Sequence, residues 1–250
     1  MTRALGVEFQ KTHRRKMGWV IFALLAAQAA WSLWSLTYMD AEDLKQGWMY
    51  ILYLFPLLDS LMMPVIIAVV ASRLCDVEHK GQTLRLINTL MPAGRLFDAK
   101  FLSGSVYLLA AAAFQLFIML AAGILRGFEG EIPWLMLVVY FLLTSVVNLT
   151  LLVLQQSLSL LFSNQMITFT VGLIGAFFGL FSLYFPPGLQ NIAPWGYYGV
   201  LIFVHMDWDS ATRISNYYWS PIDWGGLIML MVMFVAIYLI GRGLFVRKEQ

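Results

Sequence analysis

Charged side chains are scarce in this sequence. Only 12% of the 250 residues are Asp, Glu, Lys or Arg, against roughly 25% in a soluble domain, while 60% are hydrophobic. That balance is typical of a protein that lies in a lipid bilayer. The formal net charge is only +2, which is too small to indicate a nucleic-acid partner. The chain has a single cysteine, Cys75, so no disulfide can form within it.

Catalytic and nucleotide-binding motifs are missing as well. The sequence has no Gly-x-x-x-x-Gly-Lys-Ser/Thr loop, whose backbone amides would hold the phosphates of ATP, and no His-Glu-x-x-His zinc motif. Its three histidines, His13, His79 and His205, are scattered. No Ser, His and Asp set is apparent within the apolar segments. We therefore expect a chain that is not an enzyme and has no catalytic, metal or cofactor site of its own.

Long apolar runs occupy most of the chain instead. A helix rises about 1.5 Å per residue, so about 20 apolar residues are needed to cross the hydrocarbon core of a bilayer. A shorter run at 192–206 contains Pro194 and predicts a re-entrant or interfacial segment rather than a span. The sequence therefore predicts an all-α integral membrane protein with a single transmembrane domain over residues 1–250. Its six predicted spans are 17–36, 48–74, 101–125, 134–162, 166–185 and 225–241.

Basic residues are distributed unevenly among the connections between these runs. Of the 16 Lys and Arg residues, all but Lys45, Arg126 and Arg213 fall in the N-terminal segment, around the connection after the second span, or in the C-terminal tail. Most acidic residues lie in the alternate connections. Positive residues stay on the cytoplasmic side of a membrane. The pattern therefore predicts a multi-pass protein of the cell membrane with both termini in the cytoplasm.

The connection after the second predicted span contains a short amphipathic segment. Thr83 can cap a helix, Leu84, Ile87 and Met91 fall on one face of it, and Pro92 ends it. Such a helix needs a partner for its apolar face. Periodicity alone favours two interpretations about equally: a helix that lies on the lipid headgroups, or a helix that docks on another protein.

The same connection carries an ordered set of residues: Glu78 at the end of the second span, Gly81-Gln82-Thr83, Pro92, Arg95, and Ala99-Lys100 at the third span. Two further stretches are Glu8-Phe9-Gln10-Lys11-Thr12 before the first span and Pro194-Trp195-Gly196-Tyr197 before the last. This combination resembles the permease subunits of type-2 ABC transporters, and among them the lantibiotic-immunity and bacitracin-type export permeases. One departure is Gly94, where that family more often has Ser or Thr.

The resemblance implies a division of labour between this chain and its partners. A separate cytoplasmic ABC ATPase would bind ATP and Mg²⁺, and a second permease subunit, identical or related, would complete the membrane unit. The substrate would be an amphipathic antimicrobial peptide, exported to protect the cell. Residues 83–91 would form a coupling helix, which passes a rigid-body movement of the ATPase into the second and third spans. The residues that the resemblance assigns to ATPase docking are Glu78, Gly81, Gln82, Thr83, Leu84, Ile87, Met91 and Arg95.

Asp59 is the only charged residue deep inside a predicted span. A central Asp costs about 2.5 to 3.5 kcal/mol to insert, so its side chain should face the bundle rather than lipid. Gln115 and Asn148 lie at comparable depths in the third and fourth spans, and either is placed to hydrogen-bond to it. A packing role is the simplest interpretation, ahead of a substrate contact. The alternative function is an ATP-independent channel or ion-coupled carrier, with Asp59 as its coupling residue.

Aromatic residues are concentrated in the connection before the last span. Such side chains anchor proteins at the bilayer interface, which is the simplest interpretation. The functional interpretation is that this connection receives an amphipathic peptide at the outer leaflet, in a transporter or in a membrane-embedded sensor or scaffold that binds peptide without moving it. In the fifth span, Gly175-x-x-x-Gly179 predicts close helix approach, within the chain or across a permease pair. The aromatic residues singled out are Trp195, Tyr197, Tyr198, Trp208 and Trp219.

Overall fold

A computed structural model of the chain describes residues 6, 8, 10, 11, 16–80, 91–209 and 214–248. Within them, six helices are long and apolar enough to cross a membrane. This confirms the all-α integral membrane fold that the apolar runs predict. The six helices are α1 (Met17–Leu36), α2 (Gly47–Lys80), α3 (Ala93–Arg126), α4 (Trp134–Leu161), α5 (Gln165–Ser182) and α6 (Trp224–Lys248).

Helices α2 and α3 extend beyond the apolar runs that predict them. The second span is predicted to end at residue 74 and the third to begin at residue 101, whereas α2 reaches Lys80 and α3 begins at Ala93. The added turns contain the charged residues Glu78 and Lys100, which are buried. Hydropathy misses these turns because it treats a charge as a boundary, although a charge that is paired inside the bundle does not need water.

Helix α2 lies at the centre of the bundle. In its most apolar window 67% of the residues are buried, against 11% in α6. Pro64 lies inside α2 and has no N–H to donate to the carbonyl of Ser60, one turn earlier. Gly179 of α5 packs against that carbonyl, since a Cβ at this glycine would lie 2.9 Å from Ser60 O. The two helices therefore approach closely where the proline interrupts the hydrogen bonding of α2.

Three glycines of α5 share one face, and that face is packed within the chain. A Cβ at Gly172 would lie 2.5 Å from the Cβ of Ala68 in α2. A Cβ at Gly175 would overlap the ring of Trp195, in the connection before α6. Of the two predicted alternatives for Gly175-x-x-x-Gly179, the structure shows close approach within the chain.

The connection before α6 departs from helical structure. After short helical turns at Pro187–Gln190, Pro194–Gly196 and Tyr197–Val200, it forms two antiparallel strands, β1 (Val204–Asp209) and β2 (Ile214–Trp219). This hairpin is not predicted from the sequence. Strand β1 alternates apolar and polar residues as a strand does, Val204-His205-Met206-Asp207-Trp208-Asp209, but its first three residues continue the apolar run 192–206, which predicts a membrane-associated segment instead. In the hairpin, Met206 lies opposite Tyr217.

Candidate functional site

The two ends of the helix bundle differ in charge. The basic end contains residues 6, 8, 10 and 11, the end of α2, the start of α3 and the ends of α4 and α6. Lys100 of α3 donates to Glu8 and Glu78, and Lys248 of α6 donates to the carbonyl oxygen of Leu161 at the end of α4. The acidic end contains the connections after α1 and α3 and the β-hairpin, joined by Glu129 and Tyr217. The acidic residues of that end are Asp40, Glu42, Asp43, Glu129, Glu131, Asp207, Asp209 and Asp223.

Four charged side chains meet at the basic end and form what we term the ion cluster: Glu8, Lys11, Glu78 and Lys100. The Nζ atom of Lys100 lies 2.9 Å from Glu8 Oε2 and 2.8 Å from Glu78 Oε2. The Nζ atom of Lys11 lies 2.8 Å from Glu8 Oε1 and 2.9 Å from Glu78 Oε1. Each carboxylate therefore accepts hydrogen bonds from both ammonium groups, and the formal charges cancel.

The ion cluster is shielded from solvent. The side chains of Glu78 and Lys100 have no exposed surface, and that of Lys11 is 24% exposed. Lys100 also donates to the carbonyl oxygen of Leu74 at 2.6 Å, so each N–H of its ammonium group has an acceptor. Opposite charges and hydrogen bonds of this kind offset the cost of burying a charge. The ion cluster therefore fixes Glu8 and Lys11 to α2 and α3.

The first turns of α3 also hold α4 and α6. Asp98 accepts hydrogen bonds from the Tyr238 hydroxyl at 2.7 Å and from Arg242 Nε at 2.9 Å, both in α6. One residue earlier, the carbonyl of Phe97 accepts a hydrogen bond from Gln156 Nε2 of α4 at 3.0 Å. The start of α3 is therefore connected by polar contacts to α2, α4, α6 and the N-terminal segment.

The surroundings of residue 94 explain why it is a glycine. A Cβ at residue 94 would lie 2.5 Å from Nη2 of Arg242, the side chain that pairs with Asp98. The Ser or Thr that the resembled permeases more often have would displace this guanidinium. The absence of a side chain at Gly94 therefore leaves room for the ion pair between Asp98 of α3 and Arg242 of α6.

The structure describes only some of the residues assigned to ATPase docking. Gly81, Gln82, Thr83, Leu84 and Ile87 lie outside the described residues. The side chain of Glu78 has no exposed surface and lies inside the ion cluster, so it offers no surface for direct contact with a partner. Met91 packs partly against the hydrophobic core, whereas Arg95 is exposed at the start of α3.

Asp59 lies at the centre of the bundle with no exposed surface. Its Oδ1 atom accepts hydrogen bonds from Gln28 Nε2 of α1 at 2.8 Å and Gln115 Nε2 of α3 at 2.7 Å. Its Oδ2 atom accepts one from the Tyr140 hydroxyl of α4 at 2.6 Å. Gln115 also donates to Gln28 Oε1 at 2.9 Å. This network joins four helices, and its members donate to the carboxylate without carrying a positive charge.

Asn148, which shares the predicted depth of Asp59, has a different partner. Its Oδ1 atom accepts a hydrogen bond from the Tyr198 hydroxyl at 2.5 Å. Asn148 lies in the middle of α4, so the segment that contains Tyr198 re-enters the bundle from the acidic end.

The aromatic residues singled out in the connection before α6 divide into two groups. Tyr197 and Tyr198 are buried, and the ring of Trp195 packs on Gly175. Trp208 and Trp219 lie on the hairpin and are 57% and 44% exposed. The first group therefore belongs to the core, and only the second offers aromatic surface to a ligand or to lipid.

Several residues of these sites were not singled out from the sequence. Gln28 carries a usable signal, because a lone amide in the middle of an apolar run is a polar group that needs a partner inside the bundle. Asp98 and Arg242 lie 144 positions apart, and nothing local connects them. Tyr140 is one aromatic residue among many in the apolar runs, so no pattern distinguishes it.

A comparison with protein-family models matches residues 4–179 to the family described as ABC-2 family transporter protein. The match covers well over half of the chain and includes the ion cluster and the Asp59 network. The chain belongs to the ABC-2 transporter family. A comparison with curated proteins found no match.

As an ABC-2 permease, the protein is a multi-pass transmembrane subunit of an ABC transporter and a transport rather than a catalytic chain. The matched part ends within α5, so the re-entrant segment, the hairpin and α6 of the permease lie beyond it. Among the residues that the structure describes, no group of three or more His, Cys, Asp or Glu side chains is arranged to hold a metal ion.

Proposed function

We propose that this ABC-2 permease works in an ATP-driven exporter of the cell membrane, with its basic end and both termini in the cytoplasm. Separate ABC ATPase subunits would bind ATP and Mg²⁺ and dock on the connection between α2 and α3. The observation that carries this proposal is the position of the ion cluster. Glu78 and Lys100 flank this connection on its two sides and are bonded to each other, so a load applied to the connection reaches α2 and α3 together.

The polar contacts at the start of α3 support a rigid-body mechanism. A force on the connection would move α3, and α3 is bonded to α6 through Asp98 and to α4 through the carbonyl of Phe97. Packed helices joined in this way shift as a unit rather than bending one by one. ATP-driven closure of two ATPase subunits would thus change the space between two permease halves.

The second permease subunit, identical or related, would cover apolar surface that this chain leaves exposed. Helix α6 has the smallest buried share of the six candidate spans. Its exposed residues include Ile228, Val232, Val235 and Leu239, which recur about every three or four positions along one side of a helix. Lipid and a neighbouring subunit are the two kinds of apolar partner for such a surface.

The substrate that we propose is an amphipathic antimicrobial peptide of the lantibiotic or bacitracin type, moved from the membrane to the outside to protect the cell. The resemblance in the connection after α2 supports this class. The exposed indole rings of Trp208 and Trp219 at the acidic end also support it, because indoles offer apolar contact area at the membrane interface. Expression of the transporter should therefore raise the peptide concentration that a sensitive host survives.

A direct test of ATPase docking is the variant Ile87→Asp, in which a charge replaces a residue on the apolar face of the predicted coupling helix. Burying an unpaired carboxylate costs several kcal/mol, so we expect the copurified ATPase to fall by more than about tenfold. Stimulation of ATP hydrolysis by the permease should fall in parallel.

The matched control is Ile192→Asp, the same chemical change at an exposed residue in the connection before α6. This variant should copurify with the ATPase as the wild type does. Docking on the connection between α2 and α3 is rejected if Ile87→Asp retains both assembly and stimulation of ATP hydrolysis.

The Asp59 network favours a second candidate function, an ATP-independent carrier. A buried carboxylate with hydrogen-bond partners from α1, α3 and α4 is the arrangement expected of a coupling residue as well as of a packing contact. Transport by the reconstituted permease without ATPase and ATP, lost in Asp59→Asn, would establish the carrier. ATP-driven export retained in Asp59→Asn would assign Asp59 to packing.

A further inference from the structure

A cleft of about 180 Å³ opens at the acidic end, opposite the ion cluster. It lies between the connection after α1, the start of α2 and strand β2. Its lining includes three tyrosines and a carboxylate, Tyr38, Tyr50, Tyr217 and Asp43, together with Gln46 and Ser215. Pockets for whole drug-sized ligands are larger, roughly 300–1,000 Å³. The cleft therefore has room for a single functional group of a larger molecule.

Polar and aromatic contacts hold the walls of the cleft together. The backbone N–H of Tyr217 donates to Gln46 Oε1 at 2.7 Å, which joins β2 to the start of α2. The rings of Tyr50 and Tyr53 each lie 5.6 Å from the ring of Tyr217 between centroids. The cleft is thus a joint between the hairpin and the helix bundle.

The lining has the chemistry of a cation site. Burial and the neighbouring Tyr50 and Tyr53 raise the pKa of Tyr217 to about 12, so its phenol is neutral at physiological pH. Neutral tyrosine rings attract ammonium and guanidinium groups through their π-faces. Asp43 supplies a formal negative charge to the cleft, and its Oδ2 atom accepts a hydrogen bond from the backbone N–H of Asp40 at 3.1 Å, which holds it in place.

The surface around the cleft is acidic and aromatic. The connections of the acidic end carry eight acidic residues against Lys45, Arg126 and Arg213. Such an excess attracts cations to the cleft. Trp208 lies directly opposite Ser215 in the hairpin and so shares the face of Ser215 and Tyr217, because facing residues point to the same side of a sheet. Its exposed ring places apolar surface beside the cation site.

We infer that this cleft binds an ammonium or guanidinium group of a cationic amphipathic peptide at the outer surface of the membrane, while the apolar part of the peptide contacts Trp208. The inference rests on the proposed function and names the part of the permease that recognises the substrate. A whole peptide does not fit in the cleft, so recognition is of one cationic side chain or the terminal amine, and the sequence of the peptide matters less than its charge.

The test measures binding of a lysine-containing lantibiotic to the purified full-length permease in lipid nanodiscs without ATPase. Asp43→Asn removes the carboxylate, and Tyr38→Leu removes a ring that is 73% exposed, so its loss leaves the core intact. Each variant should weaken binding about three- to tenfold, as expected for one partly exposed ionic or cation–π contact. The same peptide with its amines acetylated should bind the wild-type permease as weakly as the unmodified peptide binds the two variants.

The matched control is Asp207→Asn, which removes the same charge from the same end of the bundle. Asp207 is exposed and lies one position before Trp208 on β1, on the other face of the hairpin. Binding by this variant should equal that of the wild type. An equal loss in Asp207→Asn would show general attraction to an acidic surface and would overturn the assignment to the cleft.

Three further outcomes separate this inference from the proposed function and from a lipid ligand. If wild-type cells are protected against the peptide but Asp43→Asn and Tyr38→Leu bind it as the wild type does, export stands and the cleft is rejected. If the wild type and Asp43→Asn bind the peptide equally but retain different amounts of phosphatidylethanolamine on purification, the cleft holds a lipid ammonium headgroup and the peptide assignment is wrong. If the variants lose binding but the wild type gives no protection, the cleft stands and export fails.

Discussion

Lys100 shows how a single residue can hold a charge in the interior of a membrane protein. Three acceptors surround its ammonium group, and two of them are carboxylates. Asp59 is buried in a different way, since its hydrogen-bond partners are neutral amides and a phenol. The ion cluster is therefore balanced in charge, whereas the Asp59 network satisfies hydrogen bonds only. Loss of one charge should be most damaging in the ion cluster.

We predict that Lys100→Met lowers the free energy of unfolding by about 3–5 kcal/mol, the usual effect of breaking a buried ion pair. The change leaves Glu8 and Glu78 with only Lys11 between them. Adding Glu78→Gln to this variant restores the charge balance and should recover part of the loss. Thermal unfolding of the purified permease in detergent measures both effects.

The control for this prediction is Lys45→Met, because the side chain of Lys45 is 59% exposed and pairs loosely with Glu42 at 3.4 Å. The free energy of unfolding of Lys45→Met should stay within about 0.5 kcal/mol of that of the wild type. The ion cluster would not be the main anchor of the basic end if Lys100→Met unfolded at the temperature of Lys45→Met.

At the scale of elements, α5 and the re-entrant segment depend on each other. The glycine face of α5 leaves a groove, and Trp195 fills it. In the same segment, the hydroxyl of Tyr198 donates a hydrogen bond to Asn148 of α4. An apolar run that is too short to span is in this way buried inside the bundle, where its backbone is protected from lipid.

We predict that Gly175→Ala displaces the Trp195 ring and lowers the free energy of unfolding by about 1–3 kcal/mol, as overpacking of a close contact does. A shift of the tryptophan emission and a lower unfolding temperature in detergent would report it. The matched change is Gly243→Ala in α6, where an added Cβ meets nothing within 4 Å. That variant should be neutral or slightly more stable, since alanine favours helix over glycine. Equal unfolding temperatures for the two variants would contradict the packing described for α5.

For the whole molecule, the difference between a basic and an acidic end determines the orientation that we propose. Ion-cluster residues and the connection between α2 and α3 would be cytoplasmic, and the hairpin and the cation cleft would be outside. The single cysteine makes this testable, because Cys75 is fully buried and an introduced cysteine would be the accessible one.

We predict that Lys45→Cys reacts with a membrane-impermeant maleimide in intact cells, whereas Arg95→Cys reacts only after the membrane is opened. Both residues are exposed, at opposite ends of the bundle. The unsubstituted chain should remain unlabelled in both conditions and serves as the control. Labelling of Arg95→Cys in intact cells would place the proposed docking connection outside and would contradict an ATPase partner there.

The sequence by itself determined the features that depend on local composition. A stretch of apolar residues as long as the bilayer is thick becomes a helix regardless of its neighbours, so the six spans follow from hydropathy. The need of Asp59 for partners inside the bundle also followed, because an unpaired carboxylate in hydrocarbon is costly. Gln115 of α3 is one such partner.

Only the tertiary structure decided which distant residues meet. Lys100 and Glu8 are 92 positions apart, and Arg242 and Asp98 are 144 apart. Pairing between them depends on helix rotation and on the order in which helices pack, and no local pattern encodes either. The same holds for the cleft at the acidic end, since its lining comes from the connection after α1, the start of α2 and β2. Tyr217 and Gln46, whose hydrogen bond joins its walls, are 171 positions apart.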